Sequence, residues 1–183
     1  MKKLICLFLI VLTLCACFSG CVVTDNPDST DKVENTTNGS DEGSTVAHVG
    51  ESVSSKNWKI TLQSAKTYDV IKSDYIENKP AEGMEYLVLF FEVENLTQKE
   101  NFFNYLYVQS YIDSYTANLK LILGDVEGYE ILSGNVAAGK KMKGCLVWEV
   151  GPNWEELELS YKNDLFSMEK DATFVVVPAD VTK

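Results

Sequence analysis

Tyr86-Leu87-Val88-Leu89-Phe90-Phe91-Glu92-Val93-Glu94-Asn95 is the stretch on which the fold turns. Its first six residues are apolar without a break, and only from Glu92 does a polar residue alternate with an apolar one. A strand sends successive side chains to opposite faces. This run therefore predicts a central strand covered on both faces at its start and wetted on one face at its end.

Working outward, Trp58, Ile60 and Leu62 alternate with Lys59, Thr61 and Gln63, the period of a half-buried strand. Weaker strand signals begin near Val46 and Val49 and pause at Gly50 and Glu51. Downstream lies an aromatic run, Phe102, Phe103, Tyr105, Tyr107 and Tyr111, whose two-residue tyrosine spacing would line one face of a strand. Such a stripe suits either the rim of a sandwich or a recognition surface. Between Asn118 and Leu132, the apolar residues Leu119, Ile122, Leu123 and Val126 have helix-like spacing, but Gly124 and Gly128 argue for an irregular connection. Gly139 then opens a turn, Cys145 to Val150 reads as a strand, and Gly151-Pro152 stops it. Leu157, Leu159 and Tyr161 alternate with Glu158 and Ser160, and Thr173 to Val177 precedes Pro178. The expectation is an all-β domain over residues 45–183: an immunoglobulin-like antiparallel β-sandwich of about seven or eight strands. The near absence of amphipathic helices excludes a doubly wound α/β fold.

The first forty-odd residues have another character. Lys2 and Lys3 precede an apolar stretch from Leu4 to Leu14, the length of a signal-peptide core rather than of a membrane span. Phe18-Ser19-Gly20-Cys21 follows and resembles the lipobox of bacterial lipoproteins, in which the cysteine acquires a lipid and becomes the new N-terminus. Leu14-Cys15-Ala16-Cys17 offers a competing site, and an uncut Leu4 to Val23 would serve as an anchor in its place. The organisation expected is a signal peptide over 1–20, lipidated Cys21 (alternatively Cys17) with an acidic linker over 21–44, and the sandwich beyond. In residues 24–44 only Val33 is large and apolar, too little to offset the entropy of ordering. A flexible linker of about twenty residues spans roughly 25 Å, enough to hold a domain off the headgroups.

Charge and inventory exclude several function classes. All sixteen basic residues are lysine, against twenty-seven acidic ones, for a net charge of -11. That balance repels nucleic acid and lacks the arginine fork suited to phosphate and guanine, so no nucleic-acid partner is expected. Four of the five cysteines lie in the signal region, and lone Cys145 reads as a buried, inert thiol. The one histidine, His48, sits beside the linker, and no serine elbow, phosphate loop or metal-ligand cluster occurs. No cofactor and no metal are expected. Glu92 and Glu94 fall about 7 Å apart on one strand face, near the spacing of glycosidase carboxylates, but acids alternating with apolar residues ordinarily form a wetted face. Two triplets, Asn35-Thr36-Thr37 and Asn95-Leu96-Thr97, match the N-glycosylation pattern, and neither is assigned a glycan.

Several blocks together resemble a bacterial surface domain, the domain of unknown function 4352. They are Val49-Gly50-Glu51-Ser52-Val53, Trp58-Lys59-Ile60-Thr61, Gly83 with Tyr86 to Asn95, and Ala138-Gly139-Lys140-Lys141-Met142-Lys143-Gly144 with the strand to Val150, Pro152, and Leu157 to Tyr161. The likeness covers about Val46 to Tyr161. It implies an immunoglobulin-like sandwich behind a lipoprotein signal, similar to a small secreted mycobacterial antigen, with no catalytic residues to carry over. Ala138 stands where the family usually has proline.

The functional expectation is a non-enzymatic, membrane-anchored module on the extracellular face of the cell membrane, held there by its N-terminal lipid and meeting a protein or peptide ligand. Candidate contacts are Tyr75 and Ile76 in the loop 69–82, and Tyr115 and Tyr129 in the loop 111–130. A passive structural envelope lipoprotein, and a cell-wall glycan hydrolase, are the alternatives.

Overall fold

The computed structural model describes residues 46–73, 76–162, 170 and 172–183. The signal and linker segments, Cys17, Cys21 and Tyr75 lie outside the described residues. In chain order the strands are β1 (Val46–Ala47), β2 (Ser52–Ser54), β3 (Trp58–Tyr68), β4 (Ile71–Lys72), β5 (Glu77–Asn78), β6 (Glu85–Asn95) and β7 (Asn101–Phe103). Then follow β8 (Val108–Ile112), β9 (Tyr115–Thr116), β10 (Gly134–Val136), β11 (Lys141–Val150), β12 (Leu157–Tyr161), β13 (Ala172–Val176) and β14 (Val181–Thr182). Most of the excess over seven or eight comes from the two-residue strands β1, β4, β5, β9 and β14. No α-helix occurs among the described residues.

Two five-stranded sheets form the layers, with β7–β10 and β4–β5 as separate two-stranded pairs. The first sheet runs β11-β6-β3-β14, with β2 also on β3; the second runs β1-β13-β12-β8-β9. β6 is central as its sequence predicts: it pairs with β11 from Lys141↔Glu94 to Val150↔Glu85 and with β3 along its other edge. Its side chains divide by parity. Leu87, Leu89, Phe91 and Val93 enter the main core, and Tyr86, Val88 and Phe90 build a second apolar cluster on the outer face.

β3 shifts register between Leu62 and Ser64. The extra residue at a bulge reverses which parity points inward, so Ile60, Leu62 and Ala65 are all buried. The same edge of β3 is shared by β2 before the bulge and β14 after it. The structure departs from the expected antiparallel pattern at two edges, where β1–β13 and β14–β3 are parallel. Both added strands are two residues long, and short edges of that kind limit pairing with other chains.

Facing layers meet through aromatic contacts. The Phe91 and Phe174 rings lie 6.0 Å apart edge to face, Trp58 packs edge-on to Phe103 at 5.3 Å, and Phe103 stacks on Tyr161 at 4.6 Å. One polar link crosses the interior: Trp148 Nε1 donates to Ser110 Oγ (2.9 Å), which donates to the Ala117 carbonyl (2.9 Å). Gly144 is required by close approach, because a Cβ there would lie 2.7 Å from Leu132 Cα.

Asn95 ends β6 and is fully buried. Its Nδ2 donates to the Lys99 and Val136 carbonyls (2.7 and 2.8 Å), and its Oδ1 accepts from Thr97 N–H (3.0 Å) and Thr97 Oγ1 (2.8 Å). The amide thus ties the end of β6 to the following turn and to β10. A nitrogen committed inward is no glycan acceptor in the folded domain.

Candidate functional site: an uncharged groove at an edge hairpin

Hairpin β8–β9 turns through Asp113 and Ser114, both with left-handed φ (49° and 71°), the shape whose twist suits a two-residue hairpin loop. Asp113 Oδ1 accepts from Glu155 N–H (2.8 Å) and Glu156 N–H (3.0 Å), which fixes the hairpin against the approach to β12. Tyr115 follows the turn with 80% of its surface exposed.

Beside this hairpin lies an open groove of about 300 Å³, lined by Tyr105, Leu106, Val108, Ser110, Ala117, Asn118, Leu119 and Leu121. No Asp, Glu, Lys or His contributes to its wall. Leu106 and Leu121 are 65% and 66% exposed. A neighbouring concavity lined by Tyr111, Ser114, Glu156, Glu158 and Lys170 is charged, so the uncharged wall is local to the groove.

The groove exists because the aromatic run does not form the strand face expected for it. Residues Tyr105–Tyr107 make a 3-10 turn, capped by Asn104, whose Oδ1 accepts from Leu106 N–H (2.9 Å). Three residues per turn separate what a strand would align. Tyr107 turns toward Tyr161 (6.4 Å between rings), and Leu106 faces solvent. Asn104, a cap-forming residue ahead of the run, is the sequence signal that marks this turn.

Of the sequence-predicted contacts, the three described ones lie on different elements. Tyr115 is an exposed hairpin tip on the second sheet. Ile76 is partly exposed in the β4–β5 hairpin, which meets the 118–132 connection where Asn78 Nδ2 donates to the Leu123 carbonyl (3.1 Å). Tyr129 is half-buried, with its ring edge-on to Phe90 at 5.0 Å, because the connection folds back over the outer sheet face. Leu106, Leu119 and Leu121, which do line a groove, were missed.

Residues 47–172 match the family described as a domain of unknown function, DUF4352. The chain belongs to this family. Among solved structures, this DUF4352 chain is similar to ycdA of Bacillus subtilis, named as a candidate lipoprotein, at 16% identity and a TM-score of 0.54, covering 70% of this chain and 39% of that one. It is similar also to the yjhA protein of Bacillus subtilis, at 15% identity and a TM-score of 0.51, covering 72% and 98% of the two chains. A functionally unknown protein from Listeria monocytogenes shows 13% identity and a TM-score of 0.52, with 72% and 82% covered. At such identities the likeness shows the fold alone. The chain spans about two fifths of the length of ycdA. No curated protein matches it.

In this DUF4352 domain the carboxylates flagged by spacing are ion-paired. Lys141 Nζ lies 2.7 Å from Glu92 Oε1 and 3.7 Å from Glu94 Oε2. The Lys141 hydrogen bond holds the Glu92 carboxyl below its usual range, the opposite of the shift a glycosidase acid needs. Cys145 is buried, its Sγ donates to the Tyr129 carbonyl (3.4 Å), and burial first, then Asp125, pushes its pKa up to about 12. A thiol so protonated is a poor nucleophile at neutral pH. Among the described residues no three His, Cys, Asp or Glu side chains converge as metal ligands.

Proposed function

We propose that this DUF4352 chain is a lipid-anchored protein of the outer face of the cell membrane that presents its sandwich as a non-catalytic interaction module. The signal-like N-terminus and the lipobox-like Cys21, ahead of a polar linker over 21–44, support the anchor. The groove is the observation that carries the module reading: exposed Leu106 and Leu121, with Tyr115 at the hairpin tip, on the surface of a chain with a net charge of -11. Exposed apolar groups in a concave, uncharged wall suit a protein or peptide that inserts apolar side chains. The ion-paired Glu92 and Glu94 and the protonated Cys145 thiol support a role without catalysis.

Two measurements test the two halves separately. Acyl labelling in cells should be lost in Cys21→Ala and kept in Cys17→Ala; label retained in Cys21→Ala removes the proposed anchor site. Saturable binding to intact cells or secreted peptides should weaken at least tenfold in a Leu106→Ala/Leu121→Ala double variant, a loss of about 1.4 kcal/mol, with melting unchanged. Equal binding by the double variant and wild type sinks the groove.

A further inference from the structure

The outer face of the first sheet is apolar: Tyr86, Val88 and Phe90 of β6 and Cys145 and Val147 of β11 are buried there. What covers them is in part a strap, residues 121–129, supplying Ile122, Val126 and Tyr129. The strap is fastened at its base. Lys120 N–H donates to the Val147 carbonyl (2.8 Å) and Cys145 N–H donates to the Glu130 carbonyl (2.9 Å), so both attachments lie two residues apart on β11. Among the described residues, no backbone–backbone hydrogen bond joins positions 121–129 to the sheet; the backbones of Val126 and Tyr129 bond to each other, at 2.9 and 3.0 Å, and the Tyr129 carbonyl also accepts from Cys145 Sγ of β11 at 3.4 Å.

Two side chains fasten the strap further out: Asn78 Nδ2 donates to the Leu123 carbonyl (3.1 Å) while Asn78 Oδ1 accepts from Leu123 N–H (3.3 Å), and Glu127 holds the far end. Glu127, with a left-handed φ of 55°, accepts from Lys66 Nζ at 3.0 and 2.8 Å and from Tyr68 OH at 2.7 Å. The Lys66–Glu127 pair is open to solvent and weak by that measure. Packing beneath the strap is incomplete, with a cavity of about 20 Å³ among Ile122, Val126, Ile131, Cys145 and Val147. Strap residues Leu121 and Leu123 point away from the sheet into solvent. Absence of backbone bonds to the sheet, a narrow base and exposed side-chain clasps are the marks of a segment that opens by itself.

We infer that residues 121–129 form a releasable cover, swinging off the outer face on hinges at Lys120 and Glu130 while the sandwich stays folded. Opening uncovers Val88, Phe90 and Val147, with the Cys145 thiol among them. Leu121, the strap's first residue, also lines the groove, so release shifts one wall of it, but no ligand there is needed for the cover to open.

The thiol is the reporter. The full chain, in mild detergent at pH 8, is exposed to N-ethylmaleimide, and modification of Cys145 is followed by peptide mass across a urea series below the unfolding transition. A releasable cover makes the labelling rate nearly independent of low urea. Glu127→Gln should raise the rate up to about fivefold, the population shift set by loss of an exposed ion pair. Leu157→Ala, in the main core away from the strap, should leave it unchanged. A rate that climbs with urea as steeply as global unfolding does, or that rises in Leu157→Ala and not in Glu127→Gln, overturns the inference. So does the absence of labelling below the transition in both wild type and Glu127→Gln. Where Leu157→Ala fails to fold, the urea dependence alone decides.

Discussion

Replacing Asn95 by alanine should destabilise the domain by about 3 to 4 kcal/mol. The side chain is fully buried and makes four hydrogen bonds of 3.0 Å or shorter. Each neutral bond contributes about 1 kcal/mol net, and a buried acceptor left alone costs about 1 to 3 kcal/mol. The Val136 carbonyl is left in that position, since Val136 is buried, whereas Lys99 and Thr97 lie nearer water and recover part of their loss. Stability of an ordinary domain is about 5 to 15 kcal/mol, so the variant should fold but melt about 10 °C lower. Asn95→Asp keeps the acceptor toward Thr97 but sets a carboxylate against two carbonyls, and should be at least as damaging. Thr97→Ala removes the hydroxyl bond to Asn95 Oδ1 but keeps the backbone N–H bond, and should cost about 1 kcal/mol. Urea denaturation followed by Trp fluorescence gives all three values. A loss under about 1 kcal/mol in Asn95→Ala would refute the reasoning that this amide locks the β6–β10 corner.

Gly144→Ala should lower stability by about 1 to 3 kcal/mol in the same assay, because the new methyl meets Leu132 backbone at 2.7 Å. Leu89→Asp, at the centre of β6, should abolish folding, read as loss of the cooperative melt; a folded variant would contradict the two-sided burial of that strand. Acid should erode stability in a defined direction. Hydrogen bonds from Lys141 and from Lys66 lower the folded pKa values of Glu92 and Glu127 below 4.5, so the unfolded chain binds more protons, and the contribution, complete above about pH 4.5, fades as pH falls through the folded values. Glu92→Gln and Glu127→Gln should each flatten the acid limb of a melting-temperature profile; an unchanged limb in both would contradict those pairings.

Much of the layer structure was legible because side-chain alternation is a direct record of burial. The run at Tyr86 is apolar on both parities since a strap lies over one face and the second sheet over the other. What escaped notice were places where one residue breaks the period. The bulge at Gln63 brings Ala65 inward three positions after Leu62, and neither residue type announces it. The helix-like spacing of Ile122 and Val126 arises because a segment crossing a sheet dips into it at intervals, a pattern that periodicity alone does not separate from a helical turn. Tyr115 was readable as a loop tip and proved exposed, whereas Tyr129 carried the same loop signal and proved to be an anchor. Leu106 and Leu121 form a common wall only through tertiary proximity, which no local pattern records.

The placing of β6 also bears on how the chain comes together. One of its edges meets β3, an upstream neighbour, but the other waits for β11, after β7 to β10 have gone elsewhere. Pairings so distant along the chain form slowly, commonly in milliseconds to seconds, since a long loop must close before any contact rewards it. The sheet thus stays open along one edge of its central strand until residues 141–150 are free to pair, so the last quarter of the chain closes what the middle began.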